Sequence, residues 1–174
     1  MTAQRIQLRQ LTLLAILTAL SVVLRIAKLV PIPNVQPVSD ILMIVTLELG
    51  VGFGIALAAL TMFLSNIILG FGIWTIPQIL AYIGCVLTIA FLAKILPLKK
   101  HLTLQIIVAV IIGFEYGFLV SLGMSIYGGV AAFVAYWLSG ILFDFYHAAG
   151  NFAFYLVLYK PLTMALEKYE KRLL

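Results

Sequence analysis

Long apolar runs dominate the chain, and short clusters of Gly, Pro and a few charges interrupt them. A membrane-spanning helix needs about 20 consecutive apolar residues. Polar residues occupy Met1 to Gln10, with Arg5 and Arg9, and an apolar stretch from Leu11 to Leu24 follows. A charged start followed by an apolar run is also the shape of a signal peptide. Arg25 and Lys28 follow the run at once, without a clean small-x-small site, so it reads as a retained first span, about 11–30. Pro31-Ile32-Pro33-Asn34-Val35-Gln36-Pro37 is not helix, because proline removes donors and restricts the residue before it. It forms the first outer loop. Ser39 is the expected N-cap of a second helix, about 39–49, which is short for a span and has to tilt or start below the membrane surface. Gly50-Val51-Gly52-Phe53-Gly54 makes an inner turn, and a third span runs about 52–69. Gly70 to Pro77 is the second outer loop, where Trp74 suits a membrane interface. A fourth span covers about 78–96, Pro97 to His101 is the charged internal loop, and a fifth span covers about 103–123. Ser125 to Gly129 is the third outer loop, and a long sixth span, about 130–158, enters a charged tail.

The composition agrees. Of the 174 residues, 64% are from the set AVILMFWYC and 10% are charged, against about 25% charged in soluble domains. The mean hydropathy is +1.19. A soluble domain, a disordered chain and a disulfide-stapled fold are excluded. The reading is one all-α membrane domain, 1–174, at the cell membrane. Net charge is +5, which in a soluble protein points to nucleic acid. Here it orients the chain instead. Arg5, Arg9, Lys94, Lys99, Lys100, Lys160, Lys168, Lys171 and Arg172 fall on one side of a six-span arrangement, and only Arg25 and Lys28 lie near the other. By the positive-inside rule both termini are then cytoplasmic. Five or seven spans would split the termini and spoil the asymmetry. In the tail, Leu162, Ala165, Leu166, Tyr169 and Leu173 recur at helical spacing, as in an amphipathic end lying at the inner interface. The lone Cys85 has no disulfide partner and reads as a small packed hydrophobe.

Small residues at four-residue spacing let helices approach closely in lipid. Ala15 and Ala19, Gly50 and Gly54, and Gly113 and Gly117 are such pairs. Each serves packing within the chain, and Ala15 and Ala19 are also placed to meet a partner helix. Ionisable groups in spans are costly and face an interior, a cavity or a partner. Glu48 lies near an inner turn and reads as an interfacial carboxylate. Asp40 sits in a first helical turn, where it complements the dipole. Glu115 is mid-span and should be internally paired or protonated. Asp144, His147 and Asn151 form a stripe on the sixth span, where Asp144 and His147 are one turn apart and within pairing reach. The stripe either packs between helices or meets a ligand. One His and one Asp make an incomplete metal set. No P-loop, nucleophile elbow or H-E-x-x-H pattern occurs, so no enzyme, cofactor or metal is expected, and any energy source lies in another subunit or an ion gradient.

The outer loops carry amides and aromatics: Asn34 and Gln36, then Phe71 and Trp74, then Ser125 and Tyr127, with no charge in the second and third. They read either as connectors with an aromatic belt or as the rim of an apolar pocket with a few placed polar groups. Such a pocket suits a bulky ligand of little net charge and lacks the Arg clamp expected for a phosphorylated one.

These features resemble the substrate-binding S component of energy-coupling factor (ECF) vitamin transporters, over nearly the whole chain. Ala15-Ile16-Leu17-Thr18-Ala19 matches the A-x-x-x-A element of that family's first helix. Pro33 to Asp40, Trp74-Thr75-Ile76-Pro77-Gln78, Phe143 to Asn151 and Leu158 to Leu162 resemble further family stretches in the same order. The resemblance implies six helices that bind a vitamin near the outer face. It also implies partners: a membrane coupling protein, met by Ala15 and Ala19, and two cytoplasmic ATPases that drive the subunit to topple and release its ligand inside. The first loop and Trp74 look most like cobalamin members, with folate, pantothenate and pyridoxine types as alternatives. The expected ligand residues are Asn34, Gln36, Phe71, Trp74, Ser125, Tyr127, His147 and Asn151. Cobalt and nickel relatives carry a His close behind Met1, where this chain has Thr2, Ala3 and Gln4. The competing classes are a structural scaffold such as MreD, and an ion-coupled carrier using Glu115 or Asp144. A carrier predicts an inverted repeat, and the chain has no convincing one.

Overall fold

The computed structural model describes residues 3–27 and 32–171. The elements in order are α1 (Ala3–Ile26), α2 (Val38–Leu49), α3 (Val51–Leu69), α4 (Thr75–Ile95), a single 3-10 turn (Leu98–Lys100) and α5 (Leu102–Glu170). No strand occurs among the described residues. Lys28, Pro31, Arg172 and Leu173 lie outside them.

Helix α5 is 69 residues long, and its backbone leaves helical geometry at Gly128 and Gly129. Gly129 has φ +63° and ψ −157°, a conformation open to glycine and strained for other residues. The break divides α5 into two arms, 102–127 and 130–170. Gly117 lies against Asp144 and Gly113 against Ala148. Asn151 Nδ2 donates to the Ala109 carbonyl at 2.8 Å, and the Tyr155 hydroxyl donates to Gln105 Oε1 at 2.6 Å. Each step of three or four down one arm meets a matching step up the other, so the arms run antiparallel. The Gly113 and Gly117 pair is thus the contact face of this hairpin. Gly50, at φ +91°, makes a one-residue joint between α2 and α3.

Helices α1, α3, α4 and α5 are long and apolar enough to cross a membrane. At 12 residues, α2 spans about 18 Å, short of the ~30 Å hydrocarbon core. Every residue from Val38 to Leu47 is buried, because α3, α4 and α5 pack around it. The shortness is accommodated by full enclosure in protein. Ser39 does not cap this helix, since Pro37 holds the N-cap position. The Ser39 hydroxyl instead bonds His147 across the bundle at 2.7 Å.

The core gathers Ile41, Met43 and Val45 of α2 with Leu57 and Met62 of α3, Tyr82 and Ile89 of α4, and Ile112 and Tyr155 of α5. Cys85 is buried among them, and its thiol is free. Helix α1 is peripheral: 17% of its apolar window is buried, against 33–39% in the other long helices. It begins at Ala3, eight residues before the expected start of the first span. The tail is a direct continuation of α5 through Pro161. Leu166 is buried and Leu162 packs on the core, so that face is directed at protein, not at an interface, while Ala165 is exposed.

The helix directions place Arg5, Arg9, Lys94, Lys99, Lys100, Lys168 and Lys171 at the end of the bundle that holds both described ends of the chain. Lys99 pairs with Glu48 there at 3.5 Å. At the same end, Gln105 Nε2 donates to the Leu98 carbonyl at 2.8 Å while its Oε1 accepts from Tyr155. Tyr155→Phe leaves that oxygen buried without its donor. The expected loss is about 1 kcal/mol of stability, measured as a lowered unfolding midpoint of the purified protein in detergent.

Candidate functional site

The far end of the bundle is where α1, α3 and the first arm of α5 finish and α2 and α4 begin. Polar residues in apolar helices meet there. The inward face of α1 is Leu17, Thr18, Ser21 and Arg25, one stripe at helical spacing. Arg25 Nη1 donates to Ser65 Oγ and to Asn66 Oδ1, the latter at 2.9 Å. Asn66 Nδ2 donates onward to Gln78 Oε1 at 3.0 Å and to Thr75 Oγ1 at 3.3 Å. This chain of bonds joins the end of α1 to the end of α3 and the start of α4. The sequence places Arg25 near the outer end of the first span. The structure buries it, with 8% exposure, and so supplies a guanidinium where no Arg clamp was expected.

Beside this network lies an aromatic layer. The Tyr82 and Tyr116 rings are 4.1 Å apart between centroids, and Tyr116 meets the His147 ring edge to face at 5.2 Å. Arg25 lies within electrostatic reach of both tyrosines. Val35 of the first loop packs on Gly150 of α5, beside this layer.

Many buried polar atoms here have no hydrogen-bond partner among the described residues. They include Thr18 Oγ1, Ser21 Oγ, Arg25 Nε, Tyr82 Oη and His147 Nδ1, with both oxygens of Asp40 and Asn151 Oδ1 deeper in the bundle. Native interiors leave few such groups, and a local concentration of them calls for an explanation. A polar ligand is one.

The expected ligand residues are distributed unevenly. His147 and Asn151 are fully buried, and Gln36 is half-buried in the first loop. The Asn151 amide holds the two α5 arms together. Asn34 is exposed at φ +62°. Phe71, Trp74 and Tyr127 are exposed on the rim, where Phe71 packs on Phe63 at 5.5 Å. Ser125 and Tyr127 are still helical, and the Ser125 hydroxyl donates to the Leu122 carbonyl of its own helix at 2.6 Å. His147 bonds Ser39, not Asp144. The reading of single spans missed Arg25, Ser39, Ser65, Asn66, Gln78, Tyr82 and Tyr116. A signal existed: Arg25, Ser65-Asn66 and Thr75-Gln78 all fall at the far ends of apolar runs.

The two remaining acids turn elsewhere. Glu115 accepts a bond from Thr88 at 2.6 Å. With Asp144 it lines a lateral groove of about 420 Å³ between the α5 arms, walled by Phe114, Phe118, Trp137 and Phe145. Ala15 and Ala19 are exposed on α1 beside Leu8, Leu11, Ile16, Leu20 and Val23, an apolar face turned away from the bundle.

No curated protein and no solved structure matches the chain. Residues 9–159 match the family described as ECF transporter, substrate-specific component. That match runs from α1 through the second arm of α5 and takes in the whole polar layer. The chain therefore belongs to the substrate-specific components of ECF transporters, a family of membrane proteins that work as subunits of an ECF transporter complex.

Proposed function

We propose that this subunit captures a vitamin at the far end of the bundle and delivers it to an ATP-driven ECF complex. The observation that carries the reading is the concentration of orphaned buried polar atoms around Arg25, Tyr82 and His147. A scaffold has no use for unpaired polar groups in its interior, because each costs about 1–3 kcal/mol.

In this reading both termini are cytoplasmic and the far end faces outward, in keeping with the basic residues at the termini end. The chain passes the bilayer six times, with the α5 hairpin counted twice and the enclosed α2 counted once. A membrane coupling protein meets α1 at Ala15 and Ala19, and two cytoplasmic ATPases supply the energy. The binding residues would be Gln36, His147 and Asn151 from the expected set, joined by Arg25, Ser39 and Tyr82. Asn34, Phe71, Trp74, Ser125 and Tyr127 would form the rim that a ligand passes. Cobalamin is the first expectation for the ligand, from the resemblance of the first loop and the Trp74 stretch. The folate, pantothenate and pyridoxine types are its alternatives.

Mass spectrometry of small molecules that co-purify with the protein tests this reading. A vitamin or vitamin precursor should be present in near-stoichiometric amount. A folded preparation that retains no small molecule and binds no vitamin on addition would favour a scaffold.

A further inference from the structure

We infer that the ligand carries an oxyanion, a carboxylate or a phosphodiester, which docks on the Nε edge of Arg25. The inference rests on the vitamin-binding reading above and names the chemical class of that ligand. A guanidinium does not lose its proton in proteins, and a buried charge is costly unless it is paired and hydrogen-bonded. Arg25 is 8% exposed and has no carboxylate in ion-pair range among the described residues. The ion pair there, Lys99–Glu48, sits at the opposite end. Asp40 is buried on α2 and makes no ion pair among the described residues, while Glu115 and Asp144 line the lateral groove.

The hydrogen bonds of Arg25 are also incomplete. Ser65 and Asn66 accept from Nη1. Nε is buried and finds no acceptor. These two bonds anchor one branch of the fork and leave its other edge oriented, and an arginine fork matches an oxyanion in a bidentate way. The Tyr82 hydroxyl, also without a partner, lies within electrostatic reach of Arg25 and would donate a further bond to the same anion. Tyr82, Tyr116 and His147 then offer ring faces and edges to the uncharged body of the ligand. The neutral-ligand expectation drawn from the charge-free second and third loops is thereby reversed, because the charge comes from α1.

Equilibrium dialysis of the full-length protein in nanodiscs tests the inference, with folate, pantothenate, cobalamin and pyridoxine as probes. The first two carry carboxylates and the third a phosphodiester, while pyridoxine carries neither. One of the first three should bind. Arg25→Gln should weaken that binding at least about 30-fold, because it removes one partner of a buried charged pair. Arg25→Lys, which keeps the charge and loses the fork, should fall between the two. Unfolding midpoints establish that the variants are folded. If Arg25→Gln does not fold, Arg25→Lys is read alone, and unchanged affinity in it overturns the inference. Binding of pyridoxine alone, or equal binding of an anionic probe by Arg25→Gln, also overturns it and leaves the vitamin reading intact. A folded protein that binds none of the four and carries no co-purifying vitamin removes the vitamin reading, and the inference falls with it; a co-purifying vitamin without an oxyanion overturns the inference alone.

Discussion

Tryptophan at both Ala15 and Ala19 is expected to cut vitamin uptake by the assembled transporter at least about 30-fold and to leave ligand binding nearly unchanged. The two alanines are one turn apart, exposed, and outside the buried stripe of Leu17, Thr18, Ser21 and Arg25. In lipid, helices associate through close packing of small side chains, since the tails are as apolar as leucine and supply no hydrophobic drive. Two indole rings on that face hold a partner helix away. Overpacking costs about 1–3 kcal/mol per site, and two such costs weaken association by about 30-fold or more. The polar layer meets the buried stripe instead, so a ligand bound there should not sense the change. Uptake of labelled vitamin in cells carrying the whole complex, compared with dialysis on the isolated subunit, separates the two effects. Undiminished uptake would move the docking face off α1.

Gly113→Leu is expected to prevent the α5 hairpin from closing. A Cβ at Gly113 would stand 2.7 Å from the backbone N and Cα of Ala148. A side chain in that position could swing aside, but backbone cannot. The expected loss is roughly 3 kcal/mol, at the upper end for overpacking. Asp144, His147 and Asn151 would lose their places at the same time, so ligand binding should fall with stability. Gly140→Ala is the control. A Cβ there meets nothing within 4 Å, and alanine favours helix over glycine by up to about 1 kcal/mol. Its unfolding midpoint should hold or rise. Equal midpoints for Gly113→Leu and the unsubstituted protein would show that the arms do not pack at Gly113.

Much of the architecture was legible because lipid imposes simple rules. Apolar runs about 20 residues long mark the helices, and Pro or Gly marks their ends, as at Pro37, Gly50, Gly70 and Gly128-Gly129. The expected boundaries of the third and fourth spans lie within three residues of α3 and α4. The Gly113 and Gly117 spacing announced a close helix contact. Glu48 was expected at an inner interface and pairs with Lys99 beside the turn. Glu115 was expected to be paired, and Thr88 holds it.

The candidate site was legible only in part. Loop residues drew attention because they are polar and aromatic between apolar runs, yet Asn34, Phe71, Trp74 and Tyr127 lie exposed. Ser39 looked like a cap because serine before an apolar run so often is one. Its hydroxyl was taken by His147, 108 positions away in the chain. No local pattern could show this bond, which depends on how α2 is enclosed.

The sequence by itself determined that this chain lives in lipid, where most of its helices break, and which end of the bundle is basic. Those properties follow from transfer free energies and backbone chemistry, which act residue by residue. Only the tertiary structure decided that α2 is enclosed by its neighbours, that Ser39 meets His147, and that Arg25 turns inward to Ser65 and Asn66. Such choices depend on which faces of different helices meet. Apolar runs specify that face weakly, because in lipid nearly every side of a helix is hydrophobic, and the few polar residues commit to a partner only when the bundle closes.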